Sequence, residues 1–128
     1  MFENLAVFRM AHAMAEHAGT RQTVLARNIA NADTPGYAAR DIPSFQAVIE
    51  ADSAGFGLRA TRSTHLGAAD AQPFTVDERR DAMPDPNGNS VSLETEMVHA
   101  ADTMRQHDRA LAIYRSSLGI LRSALGRR

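Results

Sequence analysis

Hydrophobic residues repeat at an interval of seven near the C-terminal end of the chain. One row consists of Met97, Met104, Leu111, Leu118 and Leu125. A second row consists of Ala100, His107, Tyr114 and Leu121, each three positions after a member of the first row. Spacings of three and four place both rows on one side of a helix, as in the a and d positions of a coiled coil. We expect this long apolar seam, which includes Tyr114 and Leu121, to be an assembly surface.

The same region carries the signals that begin and end a helix. Ser92 is a suitable N-cap residue, Pro is absent from this region, and Gly119 is its only glycine before Gly126. Glu94 and Glu96 fall in the first turn and arginines crowd the last, as the helix dipole favours. The pattern predicts a helix from Ser92 to Gly126, roughly 50 Å long at about 1.5 Å per residue.

A second apolar stripe predicts a long helix at the N-terminal end, from about Asn4 to Asn31. Its members are Val7, Met10, Met14, Ala18, Leu25 and Ile29. Their recurrence at helical spacing places them on one face. Alanine-rich faces permit close approach of two helices, so we expect this helix to pair with the C-terminal one. Each helix would keep an exposed far side, and we expect the assembly seam to include Val7, Met14, Leu25 and Ile29 of this helix.

The N-terminal helix should end before Thr34-Pro35-Gly36-Tyr37. A residue before proline is biased out of the helical region, and Pro-Gly at the two central positions suits a type II turn. Asn28 and Asn31 lie three apart, on one face of the last helical turn, and their amides could bond to the turn backbone. A short helix is predicted to follow over residues 42–51.

The middle of the chain, residues 52–90, has few large apolar side chains and many turn-forming residues. Short strands at Phe74–Val76 and near Leu58 could pair there, and Asn87-Gly88 could close a turn. The predicted fold is mainly α, with long N- and C-terminal helices forming a coiled-coil-like pair. An irregular segment, either small-β or mobile, joins them. We expect a single domain with segments 1–33, 34–51, 52–90 and 91–128.

Composition excludes several classes of protein. The chain has 128 residues, a net charge of -1 and no cysteine. Nucleic-acid binding would need a basic patch, and thiol catalysis and disulfides need cysteine. No stretch approaches the ~20 apolar residues of a membrane span, and charged residues interrupt any signal-peptide core near the N-terminus. Large apolar side chains are scarce, so we expect a thin core.

The histidines offer little chemistry. His12 and His17 flank a glutamate, but they lie five positions apart, whereas zinc-peptidase motifs place two histidines four apart on one helical face. His107 sits in the C-terminal seam and His99 precedes it, without a third ligand. We therefore predict no metal site, no cofactor, no small-molecule substrate and no enzymatic activity. A metal-dependent hydrolase using His12 and His17 is the weakest of the hypotheses.

Asn28-Ile29-Ala30-Asn31-Ala32-Asp33-Thr34-Pro35-Gly36-Tyr37 resembles the signature of the bacterial flagellar rod and hook axial proteins. Its Asn28, Ala30, Asn31, Thr34, Gly36 and Tyr37 match the signature positions, and Pro35 lies among them. The continuation through Ile42, with Phe45 after it, is similar to proximal rod subunits in particular. The segment Asn87 to Met97 resembles their polar turn and the Val-x-Leu-x-x-Glu entry to the last helix.

The resemblance implies a structural subunit of the flagellar basal body that serves motility. Both termini would form a helical layer that assembles with other copies and other rod proteins. Further implied partners are the inner-membrane ring and the export gate. Export through the flagellar type III apparatus, without a cleaved signal, is also implied. The alternative from another class is a soluble helical adaptor or export chaperone, which would bind a partner helix through the same seam and stay a small oligomer.

Overall fold

A computed structural model describes residues 2–54, 74–79 and 83–126 of the chain. Three helices and two short strands follow one another in this part. They are α1 (Phe2–Ala30), β1 (Arg40–Asp41), α2 (Phe45–Ala54), β2 (Asp77–Glu78) and α3 (Leu93–Leu125). The architecture is mainly α with a small two-stranded sheet, as the sequence predicts. No helix in the described ranges is long and apolar enough to cross a membrane.

The two long helices pack against each other in antiparallel orientation. Near the start of α1, the ring of Phe8 meets the ring of Tyr114 edge-on, with centroids 5.2 Å apart. At its other end, the Asn28 side chain reaches Glu96, at the start of α3, over 2.8 Å. Helices of 29 and 33 residues form the body of the molecule. The predicted helix pair is therefore confirmed.

The N-cap of α3 acts as predicted. The hydroxyl oxygen of Ser92 accepts a hydrogen bond from the Thr95 backbone N–H, at 3.5 Å. The N–H of Gly126 donates to the carbonyl of Arg122 at the other end, at 2.7 Å. The capping bond at Ser92 thus fixes where this helix begins.

The interface between α1 and α3 is built from small and polar side chains. α1 buries Ala11, Ala18 and Leu25 at intervals of seven, and α3 buries Glu96, Thr103 and Ala110 at the same interval. Small residues let the two backbones approach closely, which moves longer side chains to the flanks. The predicted stripe on α1 is therefore partly displaced, since Val7 and Met10 remain exposed.

The strand pairing differs from the sequence expectation. β2 begins at Asp77, just after Phe74–Val76, and pairs antiparallel with β1, with Arg40 opposite Glu78. The expected partner near Leu58 lies outside the described residues. The short helix also starts later than predicted, at Phe45, because Pro43 and Ser44 precede it and the Ser44 hydroxyl accepts from the Ala47 N–H at 3.3 Å.

Candidate functional site: the signature turn and the exposed row of α3

The predicted tight turn follows α1 directly. The Tyr37 N–H donates to the Thr34 carbonyl at 3.2 Å, and Gly36 has φ +72°, which is the conformation that a type II turn requires at this position. The Gly36 N–H in turn donates to the carbonyl of Asn87 at 3.1 Å. Gly88 also has a positive φ, of +80°, and lies directly against the Gly36 backbone. The two turns thus pack on each other.

Asn89 holds the end of α1 in place. Its amide nitrogen lies 3.0, 2.8 and 2.8 Å from the carbonyl oxygens of Asn31, Ala32 and Thr34. Its side-chain oxygen accepts from the Val91 N–H at 2.7 Å. The last carbonyls of a helix lack partners within the helix, so a buried amide at this point satisfies them. The sequence predicts a turn at Asn87-Gly88 but contains no pattern that assigns this role to Asn89.

Asn28 joins three parts of the chain with one fully bonded side chain. Its amide nitrogen donates to the Arg40 carbonyl at 2.7 Å and to a carboxylate oxygen of Glu96 at 2.8 Å. Its oxygen accepts from the Arg40 N–H at 3.1 Å and from the Tyr37 hydroxyl at 3.3 Å. The side chain is completely buried. No other residue type offers two donors and an acceptor in this shape.

The other signature residues shape the helix end locally. The Asn31 amide donates back to the Arg27 carbonyl at 2.7 Å, and its oxygen accepts from the Thr34 hydroxyl at 3.3 Å. The expected bonds from these two amides to the turn backbone do not form among the described residues: the Asn28 amide bonds the backbone of Arg40 in β1, and the Asn31 amide bonds within its own helix. Ala30 and Pro35 are exposed.

A chain of charged groups continues from Asn28 beneath the small sheet. The buried Glu96 carboxylate accepts from Arg79 at 2.6 Å. The Arg79 guanidinium also lies 3.5 Å from the Asp41 carboxylate, and Arg21 donates two hydrogen bonds to the same carboxylate, of 2.9 and 2.8 Å. From its position in the first turn of α3, Glu96 is predicted only to interact with the helix dipole. The Val-x-Leu-x-x-Glu resemblance, in which the Glu is Glu96, was the one signal that could have singled it out.

The electrostatics of this network favour its charged form. Burial of the Asp41 carboxyl group raises its pKa, but hydrogen bonds from Arg21 and from the Ile42 N–H, with the charges of Arg21 and Arg79, outweigh that effect and lower it. The hydrogen bond to Asp41 raises the pKa of Arg21. The network therefore joins α1, β1, Arg79 after β2, and α3 by ion pairs that are largely shielded from water.

The two N-terminal histidines do not form a common site. His17 is buried and its Nε2 lies 2.8 Å from the Pro43 carbonyl, while its ring contacts Phe45 and Phe74 at 5.5 and 4.9 Å between centroids. His12 is on the exposed side of α1. Among the described residues, no group of three or more His, Asp or Glu side chains could hold a metal ion.

The predicted seam of α3 lies beside the contact with α1 and remains open. The exposed fractions of Met97, Met104, Leu118 and Leu125 are 62, 60, 44 and 82%. Leu111 and Leu121 are half-buried, and Tyr114 is exposed at its edge while it contacts Phe8.

The predicted seam residues of α1 differ in their exposure to solvent. Val7 is exposed, and Met14 and Ile29 are half-buried. Leu25 is completely buried between the helices, so its side chain offers no surface to another molecule in this structure. The open apolar surface therefore belongs mainly to α3.

This chain is similar to known flagellar basal body rod proteins. The family model "Flagella basal body rod protein" matches residues 16–37. The flagellar basal body rod protein FlgB of Agrobacterium fabrum is 34% identical over 119 residues, which cover 86% of this chain and 85% of that protein. The FlgB proteins of Aeromonas hydrophila and Salmonella typhimurium are 36% and 35% identical, over 82% and 77% of this chain and 81% and 77% of their own lengths. The family match covers the signature turn.

Proposed function

Because this chain belongs to the flagellar basal body rod proteins, as a rod protein of the FlgB type, we propose that it assembles into the proximal rod through its terminal helices. Its role in the basal body is structural. In the assembly, copies of this chain and other rod proteins cover the open row of α3. The row then links each subunit to its neighbours.

The observation that carries this proposal is the exposure of long apolar side chains along one row of a helix. Four of them, from Met97 to Leu125, are 44–82% exposed although α1 packs against the same helix. Full burial of a Leu or Met side chain is worth about 1.5–3 kcal/mol. Completing the burial of all four would contribute on the order of 5 kcal/mol, before the cost of ordering side chains is subtracted.

The polar network gives that row a fixed support. Asn28 and Glu96 bond α1 to α3 near the turn, and the Phe8–Tyr114 contact holds the other end. A helix pair anchored at both ends presents its outer surface in one arrangement, which lowers the entropic cost of association.

We further propose that the subunit joins the inner-membrane ring and the export gate to the rest of the rod. It would reach this place through the flagellar type III apparatus. The interface of small side chains between α1 and α3 supports passage of an unfolded chain, because little apolar area must be exposed when the pair separates.

Leu118→Asp tests the role of the row. Leu118 is 44% exposed, so the charge should leave the helix pair folded while it prevents burial against a neighbour. We expect the variant to be exported but absent from purified basal bodies, and the cells to be non-motile. Ala112→Asp, which places the same charge at an exposed position of the same helix away from the row, is the matched control and should be incorporated. Normal rods containing Leu118→Asp would refute the proposal, and recovery of the native chain only as a small soluble oligomer would favour an adaptor.

A further inference from the structure

Helix α3 has two exposed apolar flanks, one on each side of its contact with α1. The methionine flank consists of Met97 and Met104, and the isoleucine flank consists of Ile113 and Ile120. Each isoleucine follows one of the methionines by 16 positions. At about 100° per residue this places the two flanks roughly 160° apart around the helix. One hairpin therefore offers two different surfaces to its surroundings.

The methionine flank borders a groove between the two long helices. The groove has a volume of about 530 Å³, and Met104 and Asp108 form its rim on α3. On α1 it is lined by Gly19 and Thr23, among other small side chains. A Cβ atom at Gly19 would meet nothing within 4 Å. Glycine inside a helix costs about 1 kcal/mol relative to alanine, and no contact within the described residues requires it here.

Charge is segregated along α3. From Leu93 to Asp108 the sequence holds four acidic residues and a single arginine, and Glu96 alone of the acids is buried in the internal network. From Arg109 to the end of the chain it holds five arginines and no acidic residue. The first half of α3 is thus acidic and the second half basic.

We propose that the groove on the methionine flank receives the isoleucine flank of a second copy of this chain, with the two α3 helices parallel and offset by about 16 residues, or roughly 24 Å. In this register Ile113 of one copy meets Met97 of the next, and Ile120 meets Met104. The inference rests on the proposed function, since it names how the self-assembling surface is used.

The distribution of charge supports the same offset independently. A shift of about 16 residues brings the basic half of one α3 beside the acidic half of its neighbour and places Arg109 next to Glu94. Parallel α3 helices without an offset would instead bring like charges together, which opposes association. The contact joins two different surfaces and shifts each copy along the helix axis, so it does not close into a ring and can be repeated from copy to copy, as growth of a rod requires.

Disulfide trapping in basal bodies tests the register, because the native chain has no cysteine. The variant that combines Met104→Cys with Ile120→Cys should give disulfide-linked dimers and higher multiples under mild oxidation. Its two cysteines cannot pair within one chain, since 16 residues of helix separate them by about 24 Å. Met97→Cys with Ile113→Cys is an equivalent pair that should give the same ladder, meaning the series of disulfide-linked dimers and higher multiples.

The control combines Met104→Cys with Ile113→Cys, which uses the same flanks but is out of register by seven residues, about 10 Å. No ladder is expected from it, and none from Met104→Cys alone. A ladder from the control but not from the other pairs would overturn the proposed register, and so would the absence of any ladder from chains that are present in basal bodies. A product that stops at the dimer would show two-fold pairing of like surfaces and would also overturn the proposal. If the chain is missing from basal bodies even when reduced, the proposed function itself fails.

A charge exchange gives a second readout. Arg109→Glu should cut ladder formation several-fold by placing a carboxylate beside Glu94, and adding Glu94→Arg to the same chain should restore it. Failure of the second change to restore the ladder would count against the register.

Discussion

The buried carboxylate of Glu96 should be the most sensitive single position in the fold. It is fully buried at the start of α3 and accepts hydrogen bonds from Asn28 of α1 and from Arg79 after β2. Glu96→Ala removes the acceptor of both bonds at once. The change leaves the guanidinium of Arg79 with Asp41, at 3.5 Å, as its remaining ion-pair partner among the described residues.

The expected loss can be worked out from these contacts. Removing one partner of a buried ion pair typically costs about 3–5 kcal/mol, because the remaining charge stays buried without compensation. Asn28 loses one of two acceptors for its amide, which adds about 1 kcal/mol. Partial exposure of Arg79 lets water relieve part of its charge. We therefore expect the free energy of unfolding to fall by about 3 kcal/mol, a large share of the total stability of a thin-cored chain.

Urea unfolding of the purified chain, followed by circular dichroism at a low protein concentration, measures this loss. Glu94→Ala is the matched control, because Glu94 is exposed in the same helical turn and should cost less than 1 kcal/mol. The double variant of Glu96→Ala with Arg79→Ala should be less destabilised than the sum of the two single variants, by at least 1 kcal/mol. Additive losses, or a Glu96→Ala effect no larger than the control, would refute the reasoning.

Two further predictions concern the turn and the ion pairs. Gly36→Val should lower the free energy of unfolding by about 2 kcal/mol or more, because a β-branched residue is strained at positive φ, and it should abolish motility. Thermal unfolding and a swarm assay measure these two effects. Gly119→Ala is the control and should be neutral or stabilising, because Gly119 lies in a helix with open space around it. Unchanged motility of the valine variant would contradict the role of the turn. Because the pKa of Asp41 is lowered in the folded state, its contribution to stability should be complete above its unfolded pKa of about 3.9 and be lost as pH falls through the folded value. Unfolding curves between pH 6 and 2 should show a smaller loss for Asp41→Asn than for the native chain, and parallel curves would exclude the ion pair as the cause.

Features set by neighbouring residues could be predicted from the sequence. The N-cap at Ser92 and the positive φ at Gly36 follow from side-chain and backbone chemistry within four residues. The approximate extents of both long helices follow from the helical spacing of their apolar residues. The signature also pointed to Asn28 and to the turn, although a resemblance alone does not reveal what the amide contacts.

Features set by distant residues could not be predicted in the same way. Asn28 and Glu96 are separated by 68 positions, and nothing local shows that they share a hydrogen bond. The face of α3 that contacts α1 also could not be predicted from the sequence. Hydropathy favours the Met104 row, whereas the structure turns Thr103 and Ala110 toward α1, because small side chains and the polar network permit a closer approach.

Exposure of Leu118 before and after assembly tests the central claim most directly. A single cysteine at this position, in a chain that otherwise has none, can be labelled with a maleimide in the purified chain and in intact basal bodies. If neighbouring subunits cover the open row of α3, the rate of labelling should fall at least ten-fold upon assembly. Equal rates in the two states would contradict the account.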